Sequence, residues 1–520
     1  MQGKVVKGRK KLAATPNYVS PAQLKLEGFD TPFERRLNKN NRWVRLAEAI
    51  PWDKIVPIYD RTFRSAEGRP PISGRVVIGA MIIKHIESFT DRDTVQHITE
   101  NMYMQYFLGY SSFTDEPPFT APLFVAIRKR MTLELTGKIN EVIVKHCMEA
   151  SQDLPPEAND PIPDGGNRED TGSVPHGAQQ DPVLSVPPPA HNKGKLLMDA
   201  TVAPQHITFP TDLKVLDAAR RKSEELIDLL YSPALHGPVK PRTYRKVARK
   251  LFLGTAKKKA KSAKAIYRAN GSQIRFLRRN LGHIDKLLDA YGSFPLTPSE
   301  QKYLMVLHTV HGQQDYLHRS QSKTVEHRIV NIHQPHVRPI VRGKEKSKVE
   351  FGSKLQVSLV EGFTFIDKLS WDAFNEGGSL RESVERYRQR MGYYPKEVLA
   401  DKIYCNRENR KWLAQHGIKL SAKPLGRPAK AAVADHIRPG DRNPIEGKFG
   451  QGKLAYGLDC IQAKLKNTSE SWIACIALVL NLVNLTRQAL YCLVRIIWDC
   501  IYEKCSPMDR LNGYAPTPVI

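Results

Sequence analysis

The chain has 520 residues, room for about three domains at ~150 residues each, and its 80 lysines and arginines against 53 acids leave a net charge of +27. Such a surplus favours polyanionic partners, nucleic acid first, and opposes self-association. Seven cysteines with no Cys-x-x-Cys pair exclude a disulfide framework or zinc ribbon and suggest an intracellular chain. No Gly-x4-Gly-Lys-Ser/Thr loop occurs, so ATP is not expected.

In chain order, the N-terminus is charged without an apolar core, which is not the pattern of a secretory signal. Residues 1–150 read as an all-α domain. After Pro70 and Pro71, Ser73 is placed to cap a helix with Val76, Val77, Ala80, Ile83 and Ile86 at helical spacing, and Asp91 to cap the next through Val95 and Ile98. Two helices joined by a tight turn, with a third near Tyr106, suit a helix-turn-helix DNA-binding module or, equally, a helical dimerisation domain.

Residues 151–193 carry nine prolines and a single arginine or lysine, Arg168, before Lys193. That composition cannot bury enough apolar surface to offset ordering, so a flexible acidic linker is expected. From 194 to 465 the pattern is α/β. Lys195 to Val202 reads as a buried strand with Asp199 near its end, followed by a very basic helical insertion at about 213–323 that holds Lys257, Lys258, Lys259, Lys261, Lys264, Arg278 and Arg279. Strand character returns at 328–341 and 354–360.

Ser379 and Glu382 then form a candidate capping box for a helix stopped by Gly392. Glu397 to Asp401 reads as a short strand ending in an acid. Asn406 is placed to cap a helix ending at Gly417, and Ile418 to Ser421 alternates as a further strand. The tail, 466–520, reads as one or two buried helices. Its most apolar stretch, Trp472 to Leu485, holds Asn481 and Asn484 and is short for a bilayer span, so no membrane crossing is expected.

Asp199 and Asp401 lie about 200 residues apart, each at the end of an apolar strand, where open α/β sheets present functional groups. Phosphodiester cleavage needs an activated water and relief of charge on the leaving oxygen, which two Mg²⁺ ions about 4 Å apart can supply. Mg²⁺ is a hard cation that prefers carboxylate oxygens, so three acids form a suitable ligand set. Glu446 follows in the segment Arg442 to Lys453. If Asn443 caps that helix and Pro444 is its first residue, Glu446 also suits a capping-box position.

Three blocks, Leu197 to Pro204, Val398 to Arg410 and Arg442 to Lys453, resemble the bacterial insertion-sequence transposases with an RNase H-like DDE catalytic domain. The last block has their Arg-x3-Glu-x6-Lys spacing, with Pro439 where the family has a tyrosine; Gly68 to Gly109 resembles their N-terminal helical domain.

The resemblance implies an RNase H-like mixed sheet with flanking helices and catalytic, metal-holding acids Asp199, Asp401 and Glu446. It implies two Mg²⁺ ions, with Mn²⁺ as a substitute, and phosphate contacts from Arg442 and Lys453. Expected partners are double-stranded DNA, as terminal inverted repeats and target, and further copies of the chain in a homodimer or higher oligomer. A cytoplasmic, nucleoid-associated location in bacteria goes with this. The expected activity is cleavage of element ends and joining of the 3′-OH to target DNA. A nuclease of this fold without strand transfer and an inactive DNA-binding relative are the alternatives.

Overall fold

The computed structural model describes residues 37–63, 71–152, 192–341, 349–422 and 440–505. The expected linker lies almost wholly outside them, as does Pro439. Apolar residues at helical spacing build the first part of the chain into α1 (Arg42–Ala49), α2 (Trp52–Asp60), α3 (Gly74–Ile86), α4 (Asp91–Glu100), α5 (Met102–Phe107), α6 (Leu123–Arg130) and α7 (Leu133–Gln152). Thr90, not Asp91, caps α4: its extended backbone lets its hydroxyl accept from the Asp93 N–H while the Asp93 carboxylate accepts from the Thr90 N–H. Asp91 instead pairs with the buried Lys84 and Arg128.

This part is all-helical, as expected. Eleven of the thirteen residues of α3 are buried, because Ile78, Met81 and Ile82 form a second apolar face opposite that of Val77, Ala80 and Ile83. The exposed residues of α4 are Arg92, Asp93, Gln96, His97 and Glu100, a mixed surface with no basic stripe. Neither helix offers the exposed basic face with which a recognition helix enters a groove.

At the centre lies a six-stranded mixed sheet of β1 (Lys195–Pro204), β2 (Arg338–Val341), β3 (Val349–Val360), β4 (Phe363–Ser370), β5 (Glu397–Leu399) and β6 (Lys419–Ser421). Its order is β2-β3-β1-β5-β6, with β4 also paired to β3. β1 runs antiparallel to β3 and parallel to β5, and β5 runs parallel to β6. Three meandering strands followed by two parallel ones on the far side of β1 form the RNase H-like sheet that the sequence implied.

α13 (Leu380–Met391) leads into β5 and ends at Gly392, whose φ of 82° suits glycine. α14 (Arg407–Gln415), capped by Asn406, leads into β6. The expected capping box at Ser379 does not form. Ser379 closes a 3-10 turn, Glu376–Ser379, and its hydroxyl is buried without a partner. The strand expected from 328 begins only at Arg338, since the Asn331 side chain accepts from the His333 and Gln334 N–H groups and turns the chain.

The insertion comprises α8 (Asp212–Leu230), α9 (Pro233–His236), α10 (Arg245–Ala256), α11 (Ala263–Asp289) and α12 (Pro298–Ser320). It closes its own core around Leu216, Ile227, Leu277, Ile284, Leu307 and Val310. It leaves the sheet after Pro204 of β1 and returns at Arg338 of β2, residues that both pair with Gly352 of β3, one from each side.

After β6 come α15 (Asn443–Tyr456) and α16 (Lys466–Cys505). α16 is one helix with two apolar stripes: Ile473, Ile476 and Leu480 pack with β3 residues Leu355 and Val357, while Cys475, Leu478 and Leu482 enter the core of the N-terminal helices. That second core also takes in Leu196, Met198 and Val398 of the sheet, so the N-terminal helices and the sheet share one interior. The tail is therefore a central strut. Lys466–Thr486 is long and apolar enough to cross a bilayer by length and composition, and 72% of that apolar stretch is buried in the fold.

Asp60, at the end of α2, has a buried carboxylate oxygen without a hydrogen-bond partner, and burial raises its pKa from 3.8 to about 6. Between those values the native chain holds a proton that the unfolded chain has lost, so stability falls as pH rises through about 6. Asp60→Asn should melt higher than the parent at pH 7 and no higher at pH 4. Thermal melts at the two pH values check this.

Candidate active site

The register of β1 on β5 sets the site. The parallel pairing ends at Leu197 opposite Leu399, and two residues further along each segment stands an aspartate, Asp199 within β1 and Asp401 just past the end of β5. Period-two alternation places both at one level and on one side of the sheet. β1 itself runs on to Pro204, so Asp199 is internal to its strand rather than near its end; it lies past the end only of the neighbouring β5.

Asp199 is only partly exposed, and its Oδ1 accepts from the Ala200 N–H at 2.8 Å. Burial holds its pKa above the usual aspartate value, opposed by the Ala200 N–H and Arg442 and reinforced by the charges of Glu376 and Asp401. The more exposed Asp401 caps the following 3-10 turn, Lys402–Tyr404, by accepting from the Lys402 N–H at 2.7 Å. One side chain joins the two acids. Arg442 donates from one terminal nitrogen to Asp199 Oδ2 at 2.9 Å and reaches Asp401 Oδ1 with the other at 3.1 Å.

Arg442 is the N-cap residue of α15, and no side chain caps that helix. The helix proper starts at Asn443, so Asn443 is not the cap and Glu446 is its fourth residue, outside the expected capping box. At about 100° per residue, Arg442, Glu446 and Lys453 fall within ~40° of one another on the helix. Glu446 is exposed and Lys453 half-buried. Buried Ile445 and half-buried Phe449 set the inner side of α15, and a Cβ on Gly452 would come within 3.3 Å of Leu458.

Asp199 and Asp401 are thus brought together, with Glu446 about one helical turn beyond the arginine that bridges them. Among the described residues, no three acidic, histidine or cysteine side chains gather into a group that could hold a metal ion.

Four neighbouring residues escaped the reading of the sequence. Gln356 of β3 is fully buried; it donates toward the Asp199 carbonyl at 3.5 Å and accepts from the Tyr404 hydroxyl at 2.9 Å. Burial raises the Tyr404 pKa, with Glu376 reinforcing the effect. Glu376 pairs with Lys354 at 2.8 Å. Its turn presses on the one after Asp401, where a Cβ on Gly377 would lie 2.7 Å from the Ile403 carbonyl oxygen. Tyr404 lies within the Val398 to Arg410 segment, whereas Lys354 and Gln356 alternate with Leu355 and Val357 along β3, a pattern that by itself assigns them to the solvent side.

Of the expected DNA contacts in the insertion, Lys257, Lys258 and Lys259 lie exposed between α10 and α11, with Lys261 and Lys264 beside them. Arg278 is paired with Asp315 at 2.8 Å. Arg279 stacks over Tyr244 and Phe276, with its guanidinium 4.4 and 5.1 Å from the ring centres.

The mixed sheet with flanking helices and an N-terminal helical part defines an RNase H-like α/β protein. Residues 398–483 match a family model described as a transposase DDE domain, and residues 31–130 match one described as a transposase domain (DUF772). Together the two matches indicate an insertion-sequence transposase. The first spans β5 to α16 and includes Asp401, Arg442, Glu446 and Lys453, while Asp199 lies outside it. The chain is also similar to the uncharacterized protein ORF8 in the nfe locus of Rhizobium meliloti, with 31% identity over 111 residues, 21% of this chain. The match spans about half of that relative, 53% of its length. No solved structure matches the chain.

Proposed function

We propose that this transposase cuts the ends of its element and joins the freed 3′-OH to target DNA, with Asp199, Asp401 and Glu446 as the acids that hold divalent metal. The observation that carries this is the strand register that sets two carboxylates side by side, already sharing one cationic group. Hard oxygen donors and a site that attracts a cation fit Mg²⁺, or Mn²⁺ in its place. When bound, the metal supplies an activated water and relieves charge on the leaving oxygen.

The chain's own part is to hold the two aspartates in register, to present Glu446 on the face of α15 that Arg442 anchors, and to fix phosphates through Arg442 and Lys453. Attack of water on the phosphodiester frees a 3′-OH, and attack of that hydroxyl on a target phosphodiester joins the two DNAs. Neither step needs a covalent enzyme intermediate or ATP. The chain works on double-stranded DNA as a homodimer or larger assembly in the bacterial cytoplasm, on the nucleoid.

Incubating the full chain with Mg²⁺, a pre-cut duplex bearing the element's terminal repeat, and a target plasmid tests this directly. Joined product supports the proposal. Cutting of an uncut end without joining would make the chain a nuclease of this fold instead.

The exposed lysines between α10 and α11 contribute phosphate contacts in this scheme. Replacing Lys257, Lys258, Lys259, Lys261 and Lys264 with alanine should weaken DNA binding and flatten its salt dependence, because each lost contact releases fewer counterions. A plot of log affinity against log salt reads the slope, and an unchanged slope would place these lysines away from DNA.

A further inference from the structure

The geometry points to a second task for Arg442: without DNA its guanidinium stands in for a cation between Asp199 and Asp401, and it releases both carboxylates when a DNA phosphate takes it over. This rests on the proposed reading of the two aspartates as metal-holding residues.

An arginine that serves one carboxylate commonly sets two parallel N–H groups against it. Arg442 divides its two terminal nitrogens between two acids, at 2.9 and 3.1 Å, and so fills the interval that separates them. Those acids repel each other, as the effect of Asp401 on Asp199 shows, and the guanidinium offsets that repulsion. A divalent ion held by the same oxygens would meet a positive group in its own place, so the two occupants exclude each other.

The arrangement also leaves Arg442 incompletely served, because its Nε is buried without a hydrogen-bond partner. A phosphate presents several acceptor oxygens to a guanidinium. DNA binding and metal binding are then coupled through one side chain: a phosphate that draws Arg442 away raises the affinity of the acids for metal, and metal that displaces Arg442 raises its availability to phosphate. A chain without DNA holds metal weakly, which restrains cutting until an end is in place.

The test measures Mn²⁺ binding to the full chain by the electron paramagnetic resonance signal of free Mn²⁺, counting only the binding that Asp199→Asn removes. Without DNA, Arg442→Gln should bind Mn²⁺ about tenfold more tightly than the parent, a coupling of ordinary size between two sites. Arg442→Lys keeps the charge and should stay near the parent. Adding duplex DNA should tighten Mn²⁺ binding to the parent and change Arg442→Gln little.

Equal or weaker binding by Arg442→Gln, with the Asp199-dependent binding still present, would overturn the inference and leave the proposed function standing. Mn²⁺ binding untouched by Asp199→Asn in every background would instead overturn the proposed function. Should Arg442→Gln fail to fold, the parent alone decides: Asp199-dependent Mn²⁺ affinity that rises with DNA supports the coupling, and affinity indifferent to DNA refutes it.

Discussion

Asp199→Asn and Asp401→Asn should each reduce Mg²⁺-dependent cleavage to background while leaving end binding largely intact. Asparagine keeps an oxygen able to accept the local N–H group, Ala200 in one case and Lys402 in the other, so each turn of backbone retains its partner. What is lost is negative charge, which hard divalent ions require. On the proposed reading the phosphate contacts come from basic residues elsewhere, so binding should survive. Glu446→Gln extends the test to the third acid. With Glu446 exposed and outside a capping box, the substitution should leave the melting temperature unchanged and still stop cleavage. Cleavage assays beside binding titrations on the same preparations check all three. Wild-type cutting by Glu446→Gln would remove Glu446 from the site.

The largest effect on folding is expected at Arg390. Its side chain is 11% exposed and pairs at 2.8 Å with Asp367, whose side chain is 1% exposed, and at 2.9 Å with Glu141 of α7. One guanidinium thus ties α13 to β4 and to the N-terminal helices. Burial pushes the Asp367 pKa up against the pull of Arg390, so the carboxylate depends on its partner to stay ionised. Arg390→Ala should cost on the order of 3–5 kcal/mol, the usual penalty for stranding one half of a buried pair.

The sign of the pH effect follows. With the arginine gone, the folded pKa of Asp367 lies still further above its unfolded value, so the native state favours the protonated acid. The loss of stability should shrink below the usual aspartate pKa and reach its full size as pH rises. Denaturant unfolding at acid and neutral pH measures it. A substitution that removes both charges, Arg390→Met with Asp367→Leu, should recover much of the loss.

Much of this architecture could be read from the chain, because local signals there agree with the global fold. The helical block expected at 213–323 is observed as α8 to α12, and the acids flagged at two short apolar strands meet through the register of those strands. Caps were less legible. Thr90 took the role assigned to Asp91, and Ser379 was drawn into a 3-10 turn, since a cap depends on backbone angles that one residue of shift can change. Residues whose meaning is tertiary could not be found at all. Periodicity along β3 says which side chains alternate, but not that Gln356 would be sealed beneath Asp199 or that Lys354 would pair with Glu376 of the turn before α13. Nor does the sequence say how its parts pack: only the folded structure shows α16 joining the N-terminal helices and the sheet into one interior.

The insertion differs from those helices in how it is attached. Pro204 and Arg338 flank Gly352 from either side, so its two ends stand about two strand spacings apart, ~10 Å, with β3 between them. Helices α8 to α12 close a core of their own, whereas the segments leading in and out of them pack on the sheet, Ile207, Val330 and Val337 against Phe351, Leu369 and Trp371. The position acts as a socket. Beyond those flanking segments, the inserted helices can change in length or number without disturbing the strands that set Asp199 and Asp401 in register.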